Sequence, residues 1–88
     1  MSWVIIEIDG NYTRFEELTL EQKQEIVGGY IEYVATGSGD MIVNEWSPQN
    51  EDIEGNKLPF NSAASIIADR PICGRAIIEE GYKGDEEE

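Results

Sequence analysis

The stretch from Ile26 to Glu45 constrains the fold more than any other part of the chain. It contains two segments rich in β-branched and aromatic side chains, Tyr30–Val34 and Met41–Val43, and such segments favour β-strands. Residues 37–40, Gly-Ser-Gly-Asp, lie between them and tolerate the positive φ angles of tight turns. This pattern predicts a β-hairpin at the centre of the domain.

Neither strand of the hairpin alternates cleanly between apolar and polar residues. Glu32 and Asn44 interrupt runs that are otherwise apolar. Strands of this kind are typical of the interior of a sheet whose two faces are both covered. We expect helices on one face and a partial cover on the other, for which a second subunit is one candidate.

Capping residues predict two helices around the hairpin. Thr19 and Gln22 fit a capping box at the start of the first helix, and the glycines at 28–29 predict its end. Asn61 is a favourable N-cap for the second helix. That helix must end before Pro71, because proline disfavours helical geometry at the preceding residue.

Strands are also predicted at Trp3–Ile8 and Gly74–Glu79, whereas residues 12–18 are expected to form a connection. The resulting order, β-α-β-β-α-β, is that of the ferredoxin-like split βαβ fold. We therefore expect a single α+β domain at residues 1–80, with four antiparallel strands and both helices on one face, followed by a flexible acidic tail at 81–88. A different strand order stays open, because the sequence does not fix which strands are neighbours.

The chain is strongly acidic, with 19 Asp and Glu against 6 Lys and Arg and a net charge of −13. Without Asp85–Glu88 it still has 15 acids against 6 bases, or −9, so the folded body itself is acidic. Such a surface repels nucleic acid and anionic membranes and attracts basic proteins. We expect a basic host protein as the partner, with no direct contact to nucleic acid or membrane.

Several kinds of chemistry are excluded by composition. The chain has no His, which rules out Ser-His-Asp and Cys-His catalysis and His-ligated metals. Cys73 is the only cysteine, so neither an internal disulfide nor a cysteine-rich zinc site can form. We expect a protein that is not an enzyme and has no metal or cofactor. A cytoplasmic location is expected, since no apolar run approaches the ~20 residues of a membrane span and no signal peptide is recognised.

Acids expected at the surface are the candidate partner-binding residues. They are Glu7, Asp9, Glu21, Glu25, Glu51, Asp52 and Glu54. The first two are two residues apart, at and just after the end of the first predicted strand. Alternate residues of a strand recur about every 6.6 Å, a spacing that can imitate successive phosphates. The next two are one helical turn apart. This pattern predicts a DNA mimic that inhibits or modulates a host protein, such as a nucleic-acid-binding or defence protein.

An alternative is a dimeric protein that binds a nucleotide-like ligand, as a sponge, or serves as a structural adaptor. Aromatic residues such as Trp3 and Tyr33 could stack on a base, and Arg70 or Arg75 could bind a phosphate. The candidate dimer surface is the sheet face with Trp3, Ile5 and Tyr33, because we expect large apolar groups there without a helix above them.

Four short motifs stand out within residues 18–80. They are VGGYIE at Val27–Glu32, Asn44-Glu45 at a strand end, Leu58-Pro59-x-Asn61, and Gly74 before Ala76-Ile77-Ile78. Together they resemble a family of unknown function whose small members occur in phages, plasmids and other mobile elements. The resemblance implies a phage or mobile-element origin and action in the host cytoplasm. It implies no catalytic residue.

Overall fold

The computed structural model describes residues 2–49, residue 51 and residues 54–80, with only the main chain of Glu80. Its elements in chain order are β1 (Ser2–Ile6), β2 (Tyr12–Phe15), α1 (Leu20–Val27), β3 (Ile31–Thr36), β4 (Gly39–Asn44), a short 3₁₀ helix (Ser47–Gln49), α2 (Ser62–Ala68) and β5 (Ala76–Glu80). The strands form one sheet in the order β2-β1-β5-β4-β3, and every neighbouring pair is antiparallel. The predicted tail at 81–88 lies outside the described residues.

The α+β class and the antiparallel sheet are confirmed, but the sheet has a fifth strand. The expectation of a mere connection at 12–18 is wrong, because β2 occupies part of that range. All four side chains of β2 are exposed, so no apolar alternation marks it in the sequence. Backbone pairing with β1 holds it in place, from Trp3↔Phe15 to Ile6↔Tyr12.

Apolar clusters lie on both faces of the sheet. On one face, strand residues such as Ile6 and Met41 pack with Ala64 and Ala68 of α2. On the other, Ile5, Ile42 and Ile77 pack with Val27 of α1. The two helices therefore lie on opposite faces, and the ferredoxin-like prediction of both helices on one face is wrong.

The apolar runs in the strands explain this arrangement. Residues 4–6 and 41–43 are consecutive apolar residues that are all buried, and alternate members of each run point to opposite faces. Each face thus needs a cover. The chain provides one helix for each, so no second subunit is needed to bury these side chains.

Both helices begin at the predicted caps. Thr19 Oγ1 accepts a hydrogen bond from the Gln22 N–H at 3.1 Å, and Gln22 Oε1 accepts one from the Thr19 N–H at 2.9 Å. Asn61 Oδ1 accepts from the Ala64 N–H at 3.0 Å. Gly28, with φ of 88°, ends α1 in the left-handed conformation that glycine adopts without strain. In the described part of the chain, no helix is long and apolar enough to cross a membrane.

Candidate functional site

The motif residue Asn61 is buried and connects three segments of the chain. Its Nδ2 donates to the carbonyl oxygens of Ile6 and Gly74, both at 2.9 Å, while its Oδ1 caps α2 through Ala64. The end of β1, the start of α2 and the loop before β5 are therefore held together by one side chain. Since both polar atoms of this amide already have partners, Asn61 has a structural role.

Asn44 has a similar structural role at the end of α1. Its side chain is buried, its Nδ2 donates to the Val27 carbonyl at 3.0 Å, and its Oδ1 accepts from the Trp46 N–H at 2.7 Å. Gly29 lies directly against it, so that a Cβ at this position would be 3.2 Å from Asn44 Nδ2. A side chain at the second glycine of the motif would thus crowd Asn44, while the first glycine forms the helix cap.

The remaining motif residues contact one another in the loop before β5. The Gly74 N–H donates to the Pro59 carbonyl at 2.7 Å, and Phe60 pairs with Cys73 as an isolated bridge. Gly74 has φ of 86° and packs against the buried Leu58, since a Cβ there would lie 3.5 Å from Leu58 Cδ2. These residues hold the loop in place and present no reactive group.

Neither Cys73 nor Ser47 is placed for nucleophilic attack. Both are buried, and Ser47 Oγ accepts the Cys73 backbone N–H at 2.9 Å. Burial raises the pKa of the Cys73 thiol, which disfavours the reactive thiolate. No three Cys, Asp or Glu side chains converge as metal ligands in the ranges the structure describes.

Two residues predicted to contact partners or ligands instead pair with each other. Arg75 donates from Nε and Nη2 to the two carboxylate oxygens of Glu7, both at 2.9 Å. The register of β1 with β5, which pairs Ile6 with Ala76, brings positions 7 and 75 opposite each other. Each charge has a partner within the chain, so a contact between either residue and another protein would have to share or break this ion pair.

The other predicted acids differ in their surroundings. Asp9 is exposed, but its carboxylate stabilises a turn by accepting from the N–H and Nδ2 of Asn11 at 2.9 and 3.0 Å. Glu21 and Glu25 are exposed on α1. The loop residues Glu51 and Glu54 are also exposed, whereas Asp52 lies outside the described residues.

Residues 15–56, the acidic segment, contain ten acids and one base, for a net charge of −9. Nine of these acids are exposed, and the tenth, Asp52, lies outside the described residues. The single base, Lys23, has its Nζ 3.8 Å from the centroid of the Trp3 ring, as in a cation–π contact. The candidate set from sequence omitted five acids of this segment, which a running count of charge along the chain would have found. They are Glu16, Glu17, Glu32, Asp40 and Glu45.

The candidate dimer surface is covered over part of its area. Ile5 is buried, with 2% of its surface exposed, in the cluster that contains Val27 of α1. Trp3 is partly buried and contacts Lys23. Tyr33 is 58% exposed. The expectation of an uncovered sheet face is therefore wrong at Trp3 and Ile5, and of the three only Tyr33 is well exposed.

The chain was also compared with known proteins. The family model described as a domain of unknown function, DUF3846, matches residues 1–88. No curated protein matches the chain, and no solved structure does. The match agrees with the expectation of a family without an assigned function, and it spans the whole sequence. The chain therefore belongs to the DUF3846 family.

Proposed function

We propose that the protein is a small acidic binding protein, encoded by a phage or mobile element, that docks on a basic surface of a host protein and inhibits or modulates it. The observation that supports this most directly is the segregation of charge. The acidic segment has a net charge of −9, whereas residues 57–80 have three acids and three bases and are neutral.

The two helices show the same asymmetry in space. Glu21 and Glu25 are exposed on α1, while α2, on the opposite face of the sheet, has no charged residue between Ser62 and Ala68. Surface charge that serves only solubility does not need to be concentrated in one segment of the chain. A concentrated negative charge accelerates and orients encounters with a positively charged partner.

A nucleic-acid-binding protein is the partner class that best fits such a field. Its binding surface has the basic side chains that neutralise phosphates. An acidic domain on that surface would compete with nucleic acid for the same groups. Inhibition by anionic mimicry follows from this competition without any catalytic residue.

The test is capture of proteins from a bacterial lysate on the immobilised full chain. We expect a nucleic-acid-binding protein to be retained at about 50 mM salt and largely lost at about 200 mM, because salt screens exposed charges. Duplex DNA should compete with the capture. A double substitution, Glu21→Gln with Glu25→Gln, should weaken it.

A matched control has the same net charge but the change on the other helix. Ser62→Lys with Ile66→Lys adds two positive charges at exposed positions of α2, so that both double variants change the net charge from −13 to −11. Only the α1 variant should lose capture. Salt-insensitive capture unaffected by the α1 variant would contradict the proposal in favour of an adaptor, and a nucleotide that co-purifies without any protein would favour the sponge.

A further inference from the structure

The strand β3 forms one edge of the sheet, and no strand pairs with its outer side in the part of the chain that the structure describes. The N–H of Glu45 donates to the Tyr30 carbonyl at 2.9 Å, in register with the ladder between β3 and β4. Bonded pairs alternate along an antiparallel ladder. The even-numbered residues of β3 therefore bond to β4, and the main-chain groups of Ile31, Tyr33 and Ala35 point outward.

The side chains leave this edge accessible. Tyr33 is 58% exposed and Ala35 is exposed, both on the α1 face of the sheet, while the exposed Glu32 lies on the other face. Proteins commonly block edge strands with proline, lysine or a bulge. β3 has no proline or lysine, and its register with β4 runs without a bulge from Ile31 to Thr36.

The opposite edge of the sheet is less suited to pairing with another strand. β2 has four residues, against six in β3, and it carries Arg14 within its short length. Fewer residues provide fewer outward-facing main-chain groups. The positive charge of Arg14 would also repel a basic segment.

We propose that the outer edge of β3 binds an extended basic segment of the partner by β-strand addition. This inference rests on the proposed function and specifies the mode of docking. Three exposed acids lie on or beside the edge, namely Glu32, Asp40 and Glu45, and no base occurs between residues 24 and 56. Charge complementarity thus selects a basic strand. A second copy of the chain would bring the same negative charge to the edge and be repelled.

The sheet geometry also defines which segment fits. Side chains of an added strand alternate between the two faces, with neighbours about 4.5–5.5 Å away across the pair. One set lies beside Tyr33 and the small Ala35, where apolar groups are favoured. The other set lies beside Glu32, where Lys or Arg is favoured. The expected segment therefore alternates basic and apolar residues.

The test uses two synthetic peptides of about eight residues, the length of an ordinary strand. One alternates Lys and Val, and the other alternates Lys and Pro, with equal charge but without an N–H at every second residue. We expect the Lys-Val peptide to bind the full chain at least about tenfold more tightly, as several backbone hydrogen bonds would provide. Hydrogen exchange should slow at the amides of Ile31, Tyr33 and Ala35.

Substitutions at one edge position provide a matched pair. Ala35→Pro removes an outward-facing N–H that β4 does not use, which edge strands tolerate, whereas Ala35→Val keeps the N–H. We expect the proline variant to lose the preference for the Lys-Val peptide and the valine variant to retain it. If the proline variant does not fold, the exchange pattern of the unmodified chain alone tests the proposal.

Three outcomes would overturn the inference, and they separate it from the proposed function. Equal binding of both peptides, weakened by Glu21→Gln with Glu25→Gln, would contradict strand addition and leave acidic docking intact. Failure to bind either peptide, together with no salt-sensitive capture from lysate, would contradict both. Protection of the three amides without peptide, rising with protein concentration, would show that a second copy occupies the edge.

Discussion

Replacing Asn61 by alanine should destabilise the domain more than alanine substitutions at exposed positions usually do. The change removes the N-cap of α2, worth about 1 kcal/mol. It also removes two hydrogen bonds, from Nδ2 to the carbonyls of Ile6 and Gly74, each worth about 1 kcal/mol net. The expected loss is about 3 kcal/mol, a large share of the 5–15 kcal/mol typical of a domain.

Urea unfolding followed by circular dichroism measures this loss. For an m value of about 1 kcal/mol/M, as expected for a small chain, the midpoint should fall by about 3 M with m unchanged. Asn61→Ser keeps a capping oxygen and should recover about 1 kcal/mol relative to alanine. Ser62→Ala, at the exposed next residue, is the control and should stay within about 0.5 kcal/mol. A loss below about 1 kcal/mol for Asn61→Ala would refute the structural role of this amide.

Gly28→Ala should lower the free energy of unfolding by about 1–2 kcal/mol, because φ is 88° at this position. Gly37→Ala is the control and should change it by less than about 0.5 kcal/mol, because Gly37 lies in open space without a positive φ. Equal urea midpoints for the two variants would contradict this prediction. Burial raises the pKa of the Cys73 thiol, so the unfolded state loses this proton first and stability should fall as pH rises above about 8.5. Cys73→Ala should remove that part of the pH dependence, and identical pH slopes of the unfolding free energy would refute it. Deleting Asp85–Glu88 should change the free energy of unfolding by less than about 0.5 kcal/mol and leave the melting temperature nearly unchanged. A large drop in melting temperature would mean that these residues dock on the domain.

Local sequence patterns predicted the elements whose geometry is set by nearby residues. The capping box at Thr19 and the caps at Gly28 and Asn61 are confirmed, because each depends on atoms within a few residues along the chain. The strand β2 was not predictable in this way. Its side chains are exposed, and the backbone bonds that define it join it to β1.

Tertiary contacts account for the two main differences in the candidate site. Glu7 and Arg75 are 68 residues apart, and they meet because β5 lies beside β1, which the sequence left open. The position of α1 above Ile5 likewise depends on the face to which each helix packs. Exposure of the acids on α1 was predictable, since charged residues seldom become fully buried without a partner.

The motifs of this chain specify how the fold is held together. The side-chain amides of Asn44 and Asn61 are satisfied by hydrogen bonds, and the motif glycines serve caps and close contacts. These contacts nevertheless bear on binding. Asn44 joins the end of β4 to the end of α1, and the Tyr30–Glu45 hydrogen bond continues the ladder beside it. The start of β3 is thereby fixed against its neighbour while its outer side stays unpaired among the described strands. An edge strand held in this way loses less conformational entropy when another strand is added, which favours strand addition.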